Sequence, residues 1–398
     1  MIQYDIPYTY ENSTNPWLLD KKDDSDVLEF DGNKYTAKYL WTLNSKDRYQ
    51  ALQNVFKHYR KNGFPYLQLS DKQINKEFEK LCKYDENNVV TKEGFISNSG
   101  TLCINLCKYF CKDYFYKASD GGKSVEDIFY DDELFIKVLK NRMGWNTTKE
   151  GGVERPYIFP ISDKQILNGI RNSGLGYGIS NFRPTIAKWM YSYAEELILD
   201  LYDLHIIDPH IFDYSGGWGA RMMGALSSLR CHYDCTDPLT YDCLKDMKDT
   251  LVYNAFQNVN VYDKCSQDVF FRQEQFKEKY DIIGSCPPYF DQEIYSEDET
   301  QSTNEFNEYK DWLHGYWEGT VKNCHYMLDK TGIFILVMKE TVGKYEILND
   351  MSSILTNNGF ELVEDRQYKS NRNHLSSKSR TGKSTKINEH IMFYKKTK

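Results

Sequence analysis

Tyr280-Asp281-Ile282-Ile283-Gly284-Ser285-Cys286-Pro287-Pro288-Tyr289-Phe290 is the stretch that decides how this chain folds. Ile282 and Ile283 are short, apolar and β-branched, which reads as a buried central strand. Two prolines then stop it, because neither can donate to a sheet ladder. Beyond the strand lies a rigid corner with outward carbonyls and an aromatic ring, Tyr289. In open α/β sheets, chemistry sits at such corners, just past the carboxyl end of a central strand.

Outward from that strand the chain alternates. Strands are expected at Ile211–Tyr214, Cys231–Thr236, Val259–Tyr262, Asp281–Ser285 and Gly332–Met338. Helices are expected from Pro184, a good first helical residue, then from Ala220, over Tyr241–Phe256, over Phe306–Leu328 and over Glu340–Thr356. Phe360–Val363 and Ile391–Tyr394 read as a closing antiparallel pair. This alternation implies an α/β fold with a mainly parallel sheet covered on both faces. Upstream, helical spacing runs over Lys46–Arg60, Ile74–Cys82, Thr101–Phe115 and Val125–Met143, so residues 1–150 read as a mostly helical accessory or target-recognition domain. Residues 151–178 read as a Gly-rich connector, with Gly169, Gly174, Gly176 and Gly178 within ten residues, and 179–398 as the sheet domain.

Bulk properties bound the function. The 398 residues allow two or three domains, and 40% hydrophobic with 27% charged residues is ordinary for a globular chain. The formal charge of −8 means that any nucleic-acid contact must come from a local patch. Ten cysteines without paired Cys-x-x-Cys spacing argue for reduced thiols rather than a zinc site. Cys103, Cys107 and Cys111 share one helical stripe and read as core; no metal is expected. No apolar run has membrane-span length and no secretory signal is visible, so a soluble cytoplasmic protein without a membrane partner is expected.

Three other features come directly after strands. Asp213-Tyr-Ser215-Gly-Gly217-Trp-Gly219 runs from strand into helix, where glycines let a ligand lie against the backbone. It is not a P-loop, since it lacks a Gly-Lys-Ser/Thr ending. Asp237 ends the next strand and suits the two hydroxyls of a ribose. Asp268 comes after the third strand and is placed to accept from an exocyclic amine. Together they describe a nucleoside site whose ligand needs no phosphate cradle.

With the corner at 286–289 added, residues 179 to 398 resemble S-adenosylmethionine-dependent methyltransferases that act on exocyclic amino groups of DNA bases. That family carries an Asp-x-Phe-x-Gly-x-Gly cofactor loop and then an Asp/Asn/Ser-Pro-Pro-Tyr/Phe/Trp motif. Phe290, Asp291, Glu293 and Tyr295 resemble the extension of its phage-type members. The resemblance implies a seven-stranded, mainly parallel Rossmann-like methyltransferase sheet, S-adenosylmethionine as cofactor and DNA as partner. It places Phe182 beside the methionine end, Asp213, Ser215, Gly217 and Gly219 along the amino-acid part, Asp237 on the ribose and Asp268 on the adenine. Cys286, Pro287, Pro288 and Tyr289 become the catalytic set. The Pro287 carbonyl would localise and aim the amine lone pair, and Tyr289 would stack on an extruded base.

Cys286 departs from the family pattern, and a thiol is a weak acceptor. One reading makes it a near-isostere of Ser, leaving Pro287 or Ser285 to hold the amine; the other makes it a nucleophile for pyrimidine carbon-5 modification. The target, cytosine N4 or adenine N6, stays open, as do RNA or protein substrates, an idle DNA-binding subunit, and a restriction or accessory partner. The run from Arg366 to Lys386 is basic without an acid, and Lys378, Arg380 and Lys383 are its expected phosphate contacts. The acidic stretch Asp291–Glu299 reads as a lid or a rim turned from phosphates.

Overall fold

The computed structural model describes residues 17–18, 27–98, 100–119, 122–150, 153–175, 179, 181–252, 256–292, 295, 300–369 and 388–397. By their contacts the residues divide into two units, 1–67 with 116–178, and 68–115 with 179–398. That division runs differently from a cut at residue 150, because 68–115 packs with the sheet. Lys188 shows why: its ammonium is buried and donates to the carbonyls of Leu81 (3.3 Å), Cys82 (3.1 Å) and Tyr84 (2.7 Å). These carbonyls lie at and just past the end of helix α1 (Asp71–Cys82), where a cation is favoured.

The first unit holds the helix Ser45–Asn62, started by the Asn44 side chain on the Asp47 amide and ended at Gly63 with φ +80°. Its sequence spacing predicts it to within two residues. Val125–Met143, expected as one helix, is two, Val125–Tyr130 and Asp132–Arg142. Asp131 lies between them in extended conformation, and its carboxylate caps the second. The expected connector contains a strand, Val153–Ile158, and a helix, Asp163–Asn172. Gly176 and Gly178 lie outside the described residues.

The second unit is built on an eight-stranded sheet. Its strands are β1 (Ile96–Ser97), β2 (His210–Asp213), β3 (Cys231–Thr236), β4 (Gln257–Tyr262), β5 (Tyr280–Ser285), β6 (Leu328–Lys339), β7 (Phe360–Lys369) and β8 (Asn388–Lys396). Their spatial order is β1-β7-β8-β6-β5-β2-β3-β4. Only β8 runs against its neighbours. The expected strands are all present, and the count of seven is corrected to eight. The addition, β1, is two residues paired to the end of β7, too short for a periodic signal.

Chain order explains the site. From β2 the strands step to β3 and β4 on one side, then the chain returns to lay β5 on the other side of β2. The carboxyl ends of β2 and β5 therefore splay apart at a topological switch point. Helices cover the sheet: α2 (Ile104–Phe110), α3 (Pro184–Tyr202), α4 (Ala220–Leu226), α5 (Tyr241–Leu251), α6 (Glu318–Met327) and α7 (Ile347–Asn357). Pro184 opens α3 as its sequence predicts. Helix α4 lies close on α3 because of Gly224, where a Cβ would stand 2.5 Å from that of Ala187. The helix expected over Thr101–Phe115 breaks at Cys111; Cys103, Cys107 and Cys111 are fully buried, as core residues should be. Among the described residues no helix is long and apolar enough to cross a membrane, and no cluster of side chains could hold a metal.

At the antiparallel end of the sheet, His390 on β8 sits between two carboxylates. Nδ1 lies 2.8 Å from Asp365 on β7, and Nε2 lies 3.1 Å from Glu340 just after β6. Both contacts are hydrogen bonds only when both nitrogens carry protons. The Asp365 bond, aided by Glu340 and opposed by burial, raises the His390 pKa. A raised folded-state value gives stability that is complete below the unfolded histidine value of about 6.5 and is lost as pH rises through the folded value. Urea unfolding at pH of about 6 and about 9 should show the wild type losing more stability than His390→Gln. Equal losses in both would contradict this role.

Candidate active site

Asp213 ends β2 with no solvent exposure. Its Oδ2 accepts from Arg221 Nε at 2.8 Å and from the Tyr233 hydroxyl at 2.7 Å, and its Oδ1 from the Ser215 amide at 3.1 Å. Burial, the largest single effect, works against the Arg221 charge, but Asp213 together with Cys286, Tyr233 and Tyr191 raises the Arg221 pKa on balance. A second Arg221 nitrogen donates to the Ser215 carbonyl, and the guanidinium lies 5.4 Å from the centre of the Phe182 ring. One ion pair thus shapes the start of the glycine loop from behind.

Two glycines make the loop possible for different reasons. Gly217 has φ +52° with no crowding, so it supplies conformation. Gly219 has φ +74° and also needs space, since a Cβ there would collide with Met247 on α5. Asp237, just past β3, closes the loop from the next strand. Its Oδ2 accepts from the Gly217 amide at 2.8 Å, and its Oδ1 from the Leu239 and Thr240 amides at 3.1 and 3.0 Å. The Thr240 hydroxyl returns a bond to the Gly217 carbonyl at 2.7 Å. Burial raises the Asp237 pKa, and the amides of Thr240 and Gly217 oppose that rise. A carboxylate has about four acceptor positions; these amides take three.

The proline corner meets the loop across the switch point. The Ser285 hydroxyl donates to the Ser215 carbonyl at 3.2 Å. The Tyr214 hydroxyl, fully buried, reaches the carbonyls of Ser285 at 3.3 Å and Ile335 at 3.2 Å. Cys286 Sγ lies 3.2 Å from the Tyr289 hydroxyl. The Tyr289 ring is 6% exposed, with the Lys339 ammonium 4.5 Å from its centre. Phe290 adopts φ +51°, costly for a bulky residue. It is held there by Tyr309, Trp312 and Tyr345 at ring distances of 5.3, 5.7 and 5.7 Å. Strain of this kind beside the proline corner is the pattern expected where positioning matters more than comfort.

One cleft joins these parts. Phe182, Ser215, Gly217, Asp237, Cys286, Pro288 and Tyr289 line it, all expected from the sequence. Four other expected residues do not. Asp213 is sealed behind the loop, Gly219 packs on α5, and Pro287 is buried at the corner. Asp268, expected on the adenine of the cofactor, also lies outside the lining; its Oδ1 caps the next turn by accepting from the Phe270 amide at 2.8 Å. The wall past β4 is made instead by Lys264, Cys265, Ser266 and Gln267. Sequence spacing carries no sign of Asn98, Tyr316, Tyr368 and Glu389, which line the cleft from other elements. Tyr316 belongs to a π-helical segment, Trp312–Trp317, a distortion frequent at functional sites.

Lys378, Arg380 and Lys383 lie outside the described residues, as does Glu293. Arg366, at the start of the basic run, is already engaged: it donates to the Tyr193 hydroxyl at 2.7 Å and pairs with Glu364. It thereby ties β7 to α3.

No protein-family profile and no curated protein matches the chain. Among solved structures it is similar to a Galdieria sulphuraria protein assigned as a sarcosine dimethylglycine methyltransferase (13% identity, 53% of this chain and 85% of that chain, TM-score 0.34). It is also similar to precorrin-6y C5,15-methyltransferase from Geobacter metallireducens (12%, 51% and 87%, 0.31). A cyclopropane synthase from Mycobacterium tuberculosis is a third (14%, 52% and 84%, 0.33). At such distances the side chains of this molecule must carry any functional assignment.

Removing one partner of a buried ion pair leaves an uncompensated charge and costs about 3–5 kcal/mol. Arg221→Met should therefore lower unfolding free energy by about that much in urea titration. A loss below about 1 kcal/mol, the scale of an exposed pair, would show that the Asp213 charge does not depend on Arg221.

Proposed function

We propose that this chain transfers a methyl group from S-adenosylmethionine to an exocyclic amino group of a DNA base, cytosine N4 or adenine N6. The observation that supports this most is one cleft lined by both the 215–217 loop and the corner Cys286-Pro-Pro-Tyr289, at the switch point of the sheet.

The residues fit an extended nucleoside carrying an amino-acid tail. The walls past β2, β3 and β4 succeed one another across adjacent strands, spanning about 10 Å at ~4.8 Å per strand. Phe182 and the 215–217 backbone would hold the amino-acid end. Asp237 keeps about one acceptor position for a ribose hydroxyl. Ser266 and Gln267 stand where a base would lie, in place of Asp268. When bound, the cofactor supplies an electrophilic methyl group on a sulfonium. This chain's residues then have to present an amine to it, in line and with its lone pair localised. The Pro287 carbonyl and the Tyr289 ring are the groups assigned to that task, with Lys339 holding Tyr289 in place. Phosphate contact is assigned to Lys378, Arg380 and Lys383.

Cys286 stands in for Ser in this account. Its thiol meets the Tyr289 hydroxyl, an arrangement that orders the corner without supplying a base.

S-adenosylhomocysteine should bind in calorimetry, and Asp237→Ala should weaken it by about 1–3 kcal/mol, the scale of a hydrogen bond to a charged group. The wild type should move labelled methyl from S-adenosylmethionine into unmodified DNA. Cys286→Ser should keep or raise that activity, and a 5-fluoropyrimidine substrate should form no adduct. Absence of cofactor binding would end the proposal, and an adduct that disappears in Cys286→Ser would move it to carbon-5 chemistry.

A further inference from the structure

Methylating an amine leaves a proton to be removed, and the corner of this chain has no carboxylate or amide ahead of its prolines. Cys286 and Tyr289 are occupied with each other at 3.2 Å, and Ser285 is spent on the Ser215 carbonyl. The acceptor must come from elsewhere in the cleft. Among the described residues two carboxylates line it, and Asp237 belongs to the cofactor side, where three amides hold it. The other is Glu389.

Register shows where Glu389 stands. On β8 it is directly opposite Lys339 of β6 and opposite Tyr368 of β7. Directly opposed residues send their side chains to the same face of a sheet. Lys339 reaches the Tyr289 ring at 4.5 Å, so Glu389 is the cross-strand neighbour of a residue that touches Tyr289. Along β6, Lys339 lies three residues beyond Leu336, the partner of Ser285. Glu389 is thus about 10 Å past the end of β5 along the strands and two strands across. A base stacked on Tyr289 would lie in the cleft that Glu389 also lines. The charged and titratable groups around Glu389 are Lys339 on β6, Tyr368 on β7, Arg183 across the cleft, and the adjoining His390 with its partners Asp365 and Glu340.

We infer that Glu389 accepts the proton lost by the target amine, supplying from β8 the acceptor that Cys286 lacks. This rests on the methyl-transfer reading above. The amine lone pair forms the N–C bond as the C–S bond breaks, and the electrons of the broken bond remain on sulfur as a neutral thioether. One N–H proton passes to the Glu389 carboxylate and from there to water, so charge and atoms balance without a further reactant.

The test uses the full chain, S-adenosylmethionine and plasmid DNA from a strain lacking base methylation. Glu389→Gln should slow single-turnover methyl transfer by about a hundredfold or more, the usual scale for a lost general base. Its S-adenosylhomocysteine affinity should stay within about twofold, since a residue on the amine side adds nothing to cofactor binding. The acid limb of the wild-type pH–rate profile should vanish in the variant, which a merely structural pairing with Lys339 would not produce. Adding Cys286→Asp to Glu389→Gln should restore about tenfold or more, by returning a carboxylate beside the prolines. Independently of turnover, carbodiimide labelling of Glu389, read by peptide mass spectrometry, should fall when plasmid DNA and S-adenosylhomocysteine are added. A wild-type rate and unchanged acid limb in Glu389→Gln would overturn the inference. So would unaltered labelling, or a double variant no faster than the single one. A wild type that binds S-adenosylhomocysteine but methylates no DNA would instead remove the reaction proposed for the site, and this role with it.

Discussion

Asp213 carries the arrangement at the carboxyl end of β2. It is sealed from solvent, and its charge is met by Arg221, Tyr233 and the Ser215 amide. Because Arg221 also holds the Ser215 carbonyl, the loop cannot leave the sheet without exposing a buried charge. The same carbonyl receives the Ser285 hydroxyl, so the loop and the proline corner share one anchor. A buried pair of this kind adds little net stability over apolar packing. Here it fixes geometry: two strand ends that diverge are held to one cleft.

The cleft divides along the sheet. Past β2, β3 and β4 the walls are backbone amides, glycines and Asp237, suited to a flexible polar ligand lying along them. Past β5, β6 and β8 they are Cys286, Tyr289 and Glu389, with a strained Phe290 locked under an aromatic cluster. The first half can bind by conforming to its ligand, whereas the second is built stiff. That asymmetry suits a reaction in which one partner is held and the other must be aimed.

The strands of the sheet were legible because their apolar, β-branched runs are bounded by polar turns; Cys231–Thr236 is read to the residue. The loop and corner were legible because glycine and proline restrict backbone in ways that survive any context. The turn cap made by Asp268 was not legible, because a carboxylate after a strand can cap a turn as readily as face a ligand, and nothing local separates the two. Glu389 was invisible for a stronger reason. Its place in the site depends on the antiparallel pairing of β8 with β6 and β7, a register set by contacts 50 residues and 21 residues away in the chain. Cys111 ends a helix within an unbroken helical pattern, and the π-helical turn at Trp312–Trp317 has the same apolar spacing as an ordinary helix. Both are decided by packing.

The central claim is that this cleft methylates an exocyclic base amine, and mass spectrometry of nucleosides from cells expressing the chain tests it most directly. DNA from those cells should contain N4-methylcytosine or N6-methyladenine that is missing when Asp237→Ala is expressed instead. Only 5-methylcytosine gained, or no modified base in DNA from cells that accumulate the folded protein, would contradict the account.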